Sequence, residues 1–478
     1  METALPLANR SATELAASIR RGETTATDVV EAHLDRIEAV DETIHAFVTI
    51  TADAAREAAA DADRAVAEND DLGPLHGVPV ALKDLGSTKA GVRNTCGTAL
   101  FADNVADRTS AIVERLEAAG AIVIGTTNAP AFGHKGTTTN ELIGPTASPV
   151  DPALNAGGSS GGSAAAVGAG MVPIATGSDA GGSLRIPAAG CGVYTIKPTM
   201  GVVPDDKRPS TFGRSIHHST KGPLARTVAD AAAMLDVMAG PHPADPHSAP
   251  IETEYAKALD DSIEEWQIAY SPDLDVFPVE ERVRSVVEDA LSAFEAAGAT
   301  VETVRLGHGY TMDELADAVV PTFTTALSDM NSRLRERQGI DLRDHADEVA
   351  ESLLAMIDAG ETFDTADVAR TGIARTAMFD AVQDVLVGSA YDLLVTPTCA
   401  RTGIALDGEL AFDEWDFPLT WPFNWTDHPA ASIPAGTTDE GYPVGLQLVG
   451  RRFDEARVLA ASAAFERQRP WPTPYEGV

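Results

Sequence analysis

Lysine is scarce in this sequence, with seven lysines among the 35 basic residues of its 478 positions. Acidic residues number 72, so the formal net charge is −37. A chain with so little positive charge lacks the concentrated basic face that nucleic acids and anionic membranes need, and neither is expected as a partner. The acids are spread through helical segments such as 280–295, which favours a solvated acidic shell. The simplest cause of such a shell is growth in concentrated salt, which screens the repulsion.

Cysteine is also rare, and the three cysteines cannot all pair with one another: Cys96, Cys191 and Cys399. No two of them stand at a metal-ligand spacing, so the sequence predicts neither a disulfide framework nor a metal site, and this usage favours a reducing cytoplasm. The N-terminus has no apolar signal core, and no run of about 18 apolar residues is present to span a bilayer. A soluble cytoplasmic protein is therefore expected.

Helical and strand patterns alternate along most of the chain. Apolar residues recur at helical spacing through much of the first 70 residues. A strand is predicted over 75–82. A helix predicted over 110–119 and the strand predicted after it, over 121–124, form half of a βαβ unit. The alternation predicts an α/β fold in which helices cover both faces of a sheet.

No linker, repeat or low-complexity tract divides the chain, so one domain is predicted over residues 1–478. The pattern between about 311 and 387 is helical without a clear strand, and this segment is predicted to form a lobe over the sheet. Strands predicted over 391–397, 430–434 and 442–449 then return to the early core.

Two clusters rich in glycine and serine carry the strongest sign of chemistry, at 157–163 and 176–187. Glycine lets a backbone approach a ligand closely. In the turn before Ser183, backbone N–H groups could converge on the oxyanion that forms when this serine attacks a carbonyl carbon. The groups expected to bind it are the amides of Ala180, Gly181, Gly182 and Ser183. A loop used only for close packing is the alternative.

A serine nucleophile needs a base, and no histidine lies in or near these clusters. This weakens a Ser-His-Asp scheme and leaves only a distant histidine for it. Lys83, at the end of the apolar strand, is another candidate, because burial would leave a neutral amine that can accept a proton. Taken alone, the residue is better explained by a surface ion pair with Asp84.

The segment Gly158-Ser-Ser-Gly-Gly162 also matches the G-x-S-x-G pattern of an α/β-hydrolase nucleophile elbow, with Ser160 at its centre. An elbow follows a strand directly, whereas the prolines and asparagine of 148–156 predict a loop. Nucleotide binding is disfavoured as well, because no Gly-Lys-Ser/Thr follows and no G-x-G-x-x-G is present.

Segments spread over nearly the whole chain together resemble the amidase signature family. They stand in the family's order at 77–84, 125–128, 157–167, 177–188, 197–199, 422–429 and 445–452. The resemblance implies the amidase signature fold, with a mixed central β-sheet covered by helices on both faces. It also implies hydrolysis of a carboxylic amide to an acid and ammonia or an amine.

The catalytic roles follow from the resemblance residue by residue. Ser183 would be the nucleophile, Ser159 the bridging serine after a cis peptide bond, and Lys83 the general base. The proton of Ser183 would pass through Ser159 to neutral Lys83, an acyl-enzyme would form, and water would release the acid.

The family pattern also implies supporting and substrate-binding residues. Asp179 and Arg185 would hold the nucleophile loop, and Ser160 would support Ser159 by a hydrogen bond. The segments that line the acyl pocket in such enzymes contain, in this chain, His134, Lys135, Trp421, Phe423 and Asn424. His134 and Lys135 are equally open to the interpretation that they are solvated loop residues.

The segment 268–275 favours a free-standing amidase over the glutamine-hydrolysing A subunit of a tRNA-dependent amidotransferase, which would need partner chains. A catalytically silent relative is disfavoured because Lys83, Ser159 and Ser183 are all present. An esterase using Ser160 and a remote histidine ranks lower still. A small-molecule amide is the expected partner, no metal or organic cofactor is implied, and monomer and homodimer both remain open.

Overall fold

The computed structural model describes residues 6–208, 210–212, 218–251, 253–389, 391–410 and 414–472. Its strands are β1 (Phe47–Ile50), β2 (Pro79–Lys83), β3 (Ile122–Thr127), β4 (Ile174–Asp179), β5 (Tyr194–Lys197), β6 (Thr220–Ala225), β7 (Gln267–Tyr270), β8 (Thr300–Thr303), β9 (Leu393–Pro397), β10 (Ala430–Thr437) and β11 (Pro443–Val449). They form a mixed sheet in the order β1-β3-β2-β4-β6-β5-β10-β11-β9-β7-β8.

The α-helices are α1 (Ala12–Arg20), α2 (Ala26–Ile44), α3 (Ala52–Glu68), α4 (Ala111–Ala118), α5 (Gly161–Gly168), α6 (Arg185–Cys191), α7 (Val228–Met238), α8 (Glu281–Ala290), α9 (Ser292–Ala296), α10 (Met312–Gln338), α11 (Glu351–Gly360), α12 (Thr365–Gln383), α13 (Trp421–Trp425) and α14 (Glu455–Gln468). Short 3₁₀ or π turns lie at Leu7–Asn9, Ala99–Phe101, Ala131–Gly133, Tyr255–Asp260, Leu342–His345 and Asp384–Gly388. None of the described helices is long and apolar enough to cross a membrane.

Both faces of the sheet are covered. Every residue of β2, β3, β5, β6, β9 and β11 is buried. Successive side chains of a strand point to opposite faces, so burial of all of them requires packing on each side. The predicted α/β class with a mixed central sheet is confirmed.

The predicted elements hold with small shifts. The strand predicted over 75–82 is β2, which begins at Pro79 and runs to Lys83 because residues 75–78 form a turn. The strand predicted over 121–124 is β3, which continues through Gly125. A Cβ added to Gly125 would lie 2.3 Å from the carbonyl oxygen of Thr49 in the adjoining β1. Glycine is needed there for the close approach of β1, so it does not end the strand.

The segment over 311–387 is helical as predicted, with α10, α11 and α12 and no strand among the described residues. The loop predicted over 148–156 is also confirmed, since it contains only isolated bridges at Leu154 and Asn155. The late strands join the early part of the sheet through β10, which pairs antiparallel with β5.

Strand pairing brings the chemically important segments to one edge. β4 runs parallel to β2, and parallel neighbours place their carboxyl ends at the same edge of a sheet. β2 ends at Lys83 and β4 ends at Asp179. β6 runs antiparallel on the other side of β4 and sets Lys221 opposite Ser178.

Candidate active site

Lys83 is completely buried at the end of β2. Its Nζ lies 2.8 Å from Oγ of Ser159 and 3.0 Å from Oγ of Ser178. Burial lowers the pKa of Lys83 to about 7, and the attraction of the Asp179 carboxylate opposes only part of that shift. A neutral amine is therefore available at this position near neutral pH.

Asp84 does not form a surface ion pair with Lys83, so that explanation of the lysine is wrong. Asp84 is buried, and its carboxylate accepts hydrogen bonds at 3.0 Å from the Asn94 side-chain amide and from the backbone N–H of Thr95. The Thr95 hydroxyl also donates to it. Burial raises the pKa of Asp84 to about 6 against these hydrogen bonds.

The two serine-rich loops meet directly. The peptide bond between Gly158 and Ser159 is cis, and the N–H of Ser160 donates to the carbonyl of Ser183 at 3.1 Å. The predicted hydrogen bond from Ser160 to Ser159 is not formed. The Ser160 hydroxyl instead donates to the carbonyl of Ser178 at 3.2 Å and accepts from the N–H of Ser178 at 3.3 Å.

A buried ion pair holds the turn before Ser183. The Asp179 carboxylate accepts hydrogen bonds from the N–H groups of Gly182 at 2.7 Å and Leu184 at 3.2 Å, and from two Arg185 nitrogens at 3.0 Å. Burial alone would raise the pKa of Asp179, but the Arg185 guanidinium outweighs it and lowers that pKa to about 2. The carboxylate therefore stays ionised where it accepts hydrogen bonds from the turn.

The backbone amides of this turn divide into two kinds. Gly182 donates its N–H to Asp179, so the prediction that it binds an oxyanion needs correction. Among the described residues, the N–H groups of Ala180, Gly181 and Ser183 have no acceptor and remain for an oxyanion. Gly182 has a φ of +131°, and a Cβ there would lie 2.0 Å from Thr420 Oγ1, so the turn requires glycine.

Ser159, Ser178, Ala180, Gly181 and Ser183 line a cavity of about 380 Å³. Its apolar wall comes largely from the helices over 312–360 and includes Phe132, Phe323, Leu327, Met330, Met356 and Trp415. A volume of this size suits a small organic molecule.

Three of the predicted pocket residues do not reach this cavity. Trp421, Phe423 and Asn424 have no exposed surface. Asn424 instead supports the turn, because its amide donates to Asp179 Oδ1 at 2.9 Å and its carbonyl accepts from Arg185 at 2.6 Å. Their segment lies behind the wall, which sequence order alone could not reveal.

His134 and Lys135 do line the cavity, but both have partners. The ring nitrogens of His134 lie 2.8 Å from the carbonyl oxygen of Ala131 and 2.9 Å from Ser352 Oγ. Burial lowers the pKa of His134 to about 4, so the ring is neutral. Lys135 is buried and paired with Glu409. Lys135 is therefore not a solvated loop residue, whereas His134 is partly exposed and is held by its two hydrogen bonds.

Ser178 was missed from the sequence although a signal was present. Thr176 and Ser178 are two residues apart on β4, so their side chains share one face. That face meets the lysine twice: the N–H of Lys83 donates to Thr176 Oγ1 at 3.0 Å, and its Nζ contacts Ser178. Hydroxyl residues at alternate positions of a strand, next to the strand that ends in Lys83, could have indicated this contact with Ser178.

Comparison with known proteins agrees with this geometry. The model of the Amidase family matches residues 28–459. An acylamidase of Rhodococcus erythropolis is 38% identical over 472 residues, covering 96% of each chain. The A subunit of a glutamyl-tRNA(Gln) amidotransferase from Thermosynechococcus vestitus is 34% identical over 488 residues, covering 96% of this chain and 98% of the relative. The crystal structure of a bacterial aryl acylamidase of the amidase signature family superposes with a TM-score of 0.93 at 34% identity, covering 99% of both chains.

Proposed function

Because the chain belongs to the amidase signature family and is a hydrolase of carbon–nitrogen amide bonds, we propose that it works through an acyl-enzyme on Ser183, with Ser159 and Lys83 as the proton relay. The observation that carries this proposal is the 2.8 Å contact between Nζ of the buried Lys83 and Oγ of Ser159. A neutral lysine in contact with a serine hydroxyl can act as a base through it, and Ser159 and Ser183 line the same cavity.

In the first half of the reaction, neutral Lys83 draws the proton of Ser159, and Ser159 in turn takes the proton of Ser183. The Ser183 oxygen then attacks the amide carbon. The free N–H groups of Ala180, Gly181 and Ser183 stabilise the charge that develops on the carbonyl oxygen.

In the second half, the proton returns from Lys83 through Ser159 to the leaving nitrogen, and the carbon–nitrogen bond breaks. Water then attacks the ester on Ser183 with the same relay acting as base, which releases the acid. The same two side chains therefore carry the proton in both halves of the reaction.

The substrate proposed is an N-acyl amide with an apolar acyl group. The similarity to proteins named acylamidase and aryl acylamidase supports this, as do the aromatic and aliphatic side chains that line the cavity. The second candidate is the amidotransferase A subunit, supported by 34% identity to such a protein. In that case glutamine would be the substrate and partner chains would be required.

The test is release of acid and amine from a panel of anilides, benzamide, aliphatic amides and glutamine. Wild-type protein should hydrolyse N-acyl amides with apolar acyl groups without any partner chain. Added hydroxylamine should compete with water for the acyl-enzyme and yield a hydroxamate. Activity confined to glutamine, or dependent on an added partner, would favour the amidotransferase function.

We also propose that the chain is a single cytoplasmic domain adapted to salt. A single domain is supported by β10, which joins the late strands to β5 of the same sheet. Adaptation to salt is supported by the charge of −37, which destabilises a compact chain through self-repulsion unless salt screens it.

Stability should therefore depend strongly on salt. We expect the melting temperature to fall as KCl is lowered from about 1 M, where the Debye length is about 3 Å, to about 0.1 M, where it is about 10 Å. NaCl at equal ionic strength should act similarly, because screening does not depend on the identity of the cation. A melting temperature that is indifferent to both salts would contradict the adaptation.

A further inference from the structure

The cavity has two chemically different sides, and the first lies beside the amides that face the oxyanion. A Cβ built on Gly181 would lie 3.2 Å from the Phe323 ring. Phe323 packs against Trp415, with ring centroids 4.8 Å apart. Ile186 and Leu410 also line the cavity near this turn. This side of the cavity is apolar and aromatic.

The second side lies beside the proton relay and is polar. Lys221 of β6 is opposite Ser178 of β4 in the antiparallel register, and paired residues place their side chains on the same face of the sheet. Ser178 contacts Lys83 on that face. A Cβ built on Gly86, three residues after Lys83, would lie 3.8 Å from Cε of Lys221. Lys221 therefore lies on the relay side of the cavity.

Two ammonium groups share one carboxylate there. Nζ of Lys221 lies 3.3 Å from Asp205, and Nζ of Lys207 lies 3.7 Å from the other oxygen of the same carboxylate. Lys221 and Asp205 are more than nine-tenths buried, and all three residues line the cavity. The charge of the neighbouring Asp206 is offset by Arg108, which pairs with it at 2.6 Å, although Asp206 also attracts Lys221.

This positive charge is unusual for the chain. Three of its seven lysines line the cavity; Lys135 is paired with Glu409, whereas Lys207 and Lys221 share the carboxylate of Asp205. The rest of the molecule carries a large excess of acid, with a net charge of −37 for the whole chain. An acidic exterior repels anions, so lysines gathered at this position provide a local site where an anion is favoured.

The reaction decides which part of the substrate meets each side. The leaving nitrogen must lie where Ser159 can return a proton to it, so the amine half points toward the relay side. The acyl half then lies along Phe323 and Trp415. We propose that the preferred substrates are amides whose amine half carries an anionic group such as a carboxylate, bound by Lys221 and Lys207. This inference rests on the proposed function and specifies the substrate of the same site.

The test uses amides that share a benzoyl group and differ in the charge of the amine half. These are N-benzoylglycine (anionic), N-(2-methoxyethyl)benzamide (neutral) and N-(2-aminoethyl)benzamide (cationic), with benzoate release measured at one KCl concentration. Wild-type kcat/KM should be about tenfold or more higher for the anionic amide than for the neutral one, because it gains a charge-assisted hydrogen bond. The cationic amide should be the poorest of the three.

Lys221→Gln should lower kcat/KM for the anionic amide about tenfold more than for the neutral amide, and so remove most of the preference. The matched control is Lys257→Gln, which changes an exposed lysine paired with Glu254 on the surface and should keep the wild-type preference. Equal rates for anionic and neutral amides in the wild type, or a preference that survives in Lys221→Gln, would overturn the inference.

Two outcomes distinguish failure of the anionic subsite from failure of the proposed function. Hydrolysis of the neutral amide that depends on Ser183 but shows no charge preference overturns only the anionic subsite. Absence of hydrolysis of all three amides and of the wider panel, by protein that is folded in KCl, overturns the proposed function and the subsite together.

Discussion

Ser183→Ala should lower amide hydrolysis by about 10⁴-fold or more, because removal of a nucleophile leaves only binding and oxyanion stabilisation to accelerate the reaction. Hydroxamate formation should disappear with it, since no acyl-enzyme can form. KM or inhibitor affinity should change little, because the amides of Ala180 and Gly181 and the Asp179–Arg185 pair that shapes the turn remain. Acid release by chromatography and a melting curve in the same KCl buffer provide the measurement.

Two serine variants serve as controls. Ser285→Ala changes an exposed serine of α8 and should leave activity and stability unchanged. Ser160→Ala removes a hydroxyl that bonds only the backbone of Ser178, so it should slow turnover far less than Ser183→Ala does. If Ser183→Ala retains substantial activity and Ser160→Ala loses it, the nucleophile is Ser160 and the acyl-enzyme on Ser183 is wrong.

Lys83→Met should slow turnover by about 10²- to 10⁴-fold, the usual contribution of a general base. In the wild type the base works only when it is neutral. Since burial lowers the pKa of Lys83 to about 7, activity should rise as pH increases through about 7 and then level off. The variant should lose that rise. Initial rates measured from pH 5 to pH 9 give both results.

A second buried lysine provides the matched control. Lys197 is fully buried with a pKa lowered by burial to about 8, and its Nζ donates to the carbonyl of Pro198. Lys197→Met should keep the rise in activity through about pH 7. A near-normal rate in Lys83→Met, or a rise that persists there and vanishes in Lys197→Met, would remove Lys83 from the relay.

Stability separates lost chemistry from lost folding in Lys83→Met. The folded pKa of about 7 lies below the ordinary lysine value of 10.5, so between these values the unfolded chain binds more protons than the native chain. Wild-type stability therefore gains a contribution that rises with pH across this window. Below pH 7 the native protein holds a buried charge, and the methionine variant should be at least as stable as the wild type there.

The sequence by itself determined the fold class, the family and the list of candidate reactive residues. Alternation of strands and helices predicts a covered sheet from local periodicity alone, and the glycine-serine motifs depend on residues near one another in the chain. These signals are local, so they need no knowledge of which strands pair. Because the signals are local, they misplaced the ends of two strands by a few residues. One is at Gly125, where β1 approaches closely, and the other is at residues 75–78, which form a turn.

Only the tertiary structure decided how these residues are used. Sequence order cannot tell that Lys83 is buried against two serines instead of paired with Asp84, because Ser159 and Ser178 are 76 and 95 positions away. It cannot tell that Asn424, 245 positions from Asp179, supports the nucleophile turn and not the substrate.

Lys221 shows most clearly that a residue's role depends on the tertiary structure. Its place beside the relay follows from the antiparallel register of β6 against β4, and much of the apolar wall of the same cavity comes from a helix about 100 residues further along the chain. The reason is physical: a residue's pKa and its contact with substrate depend on burial and on neighbours brought together by strand pairing and helix packing, and those distances are not encoded in spacing along the sequence.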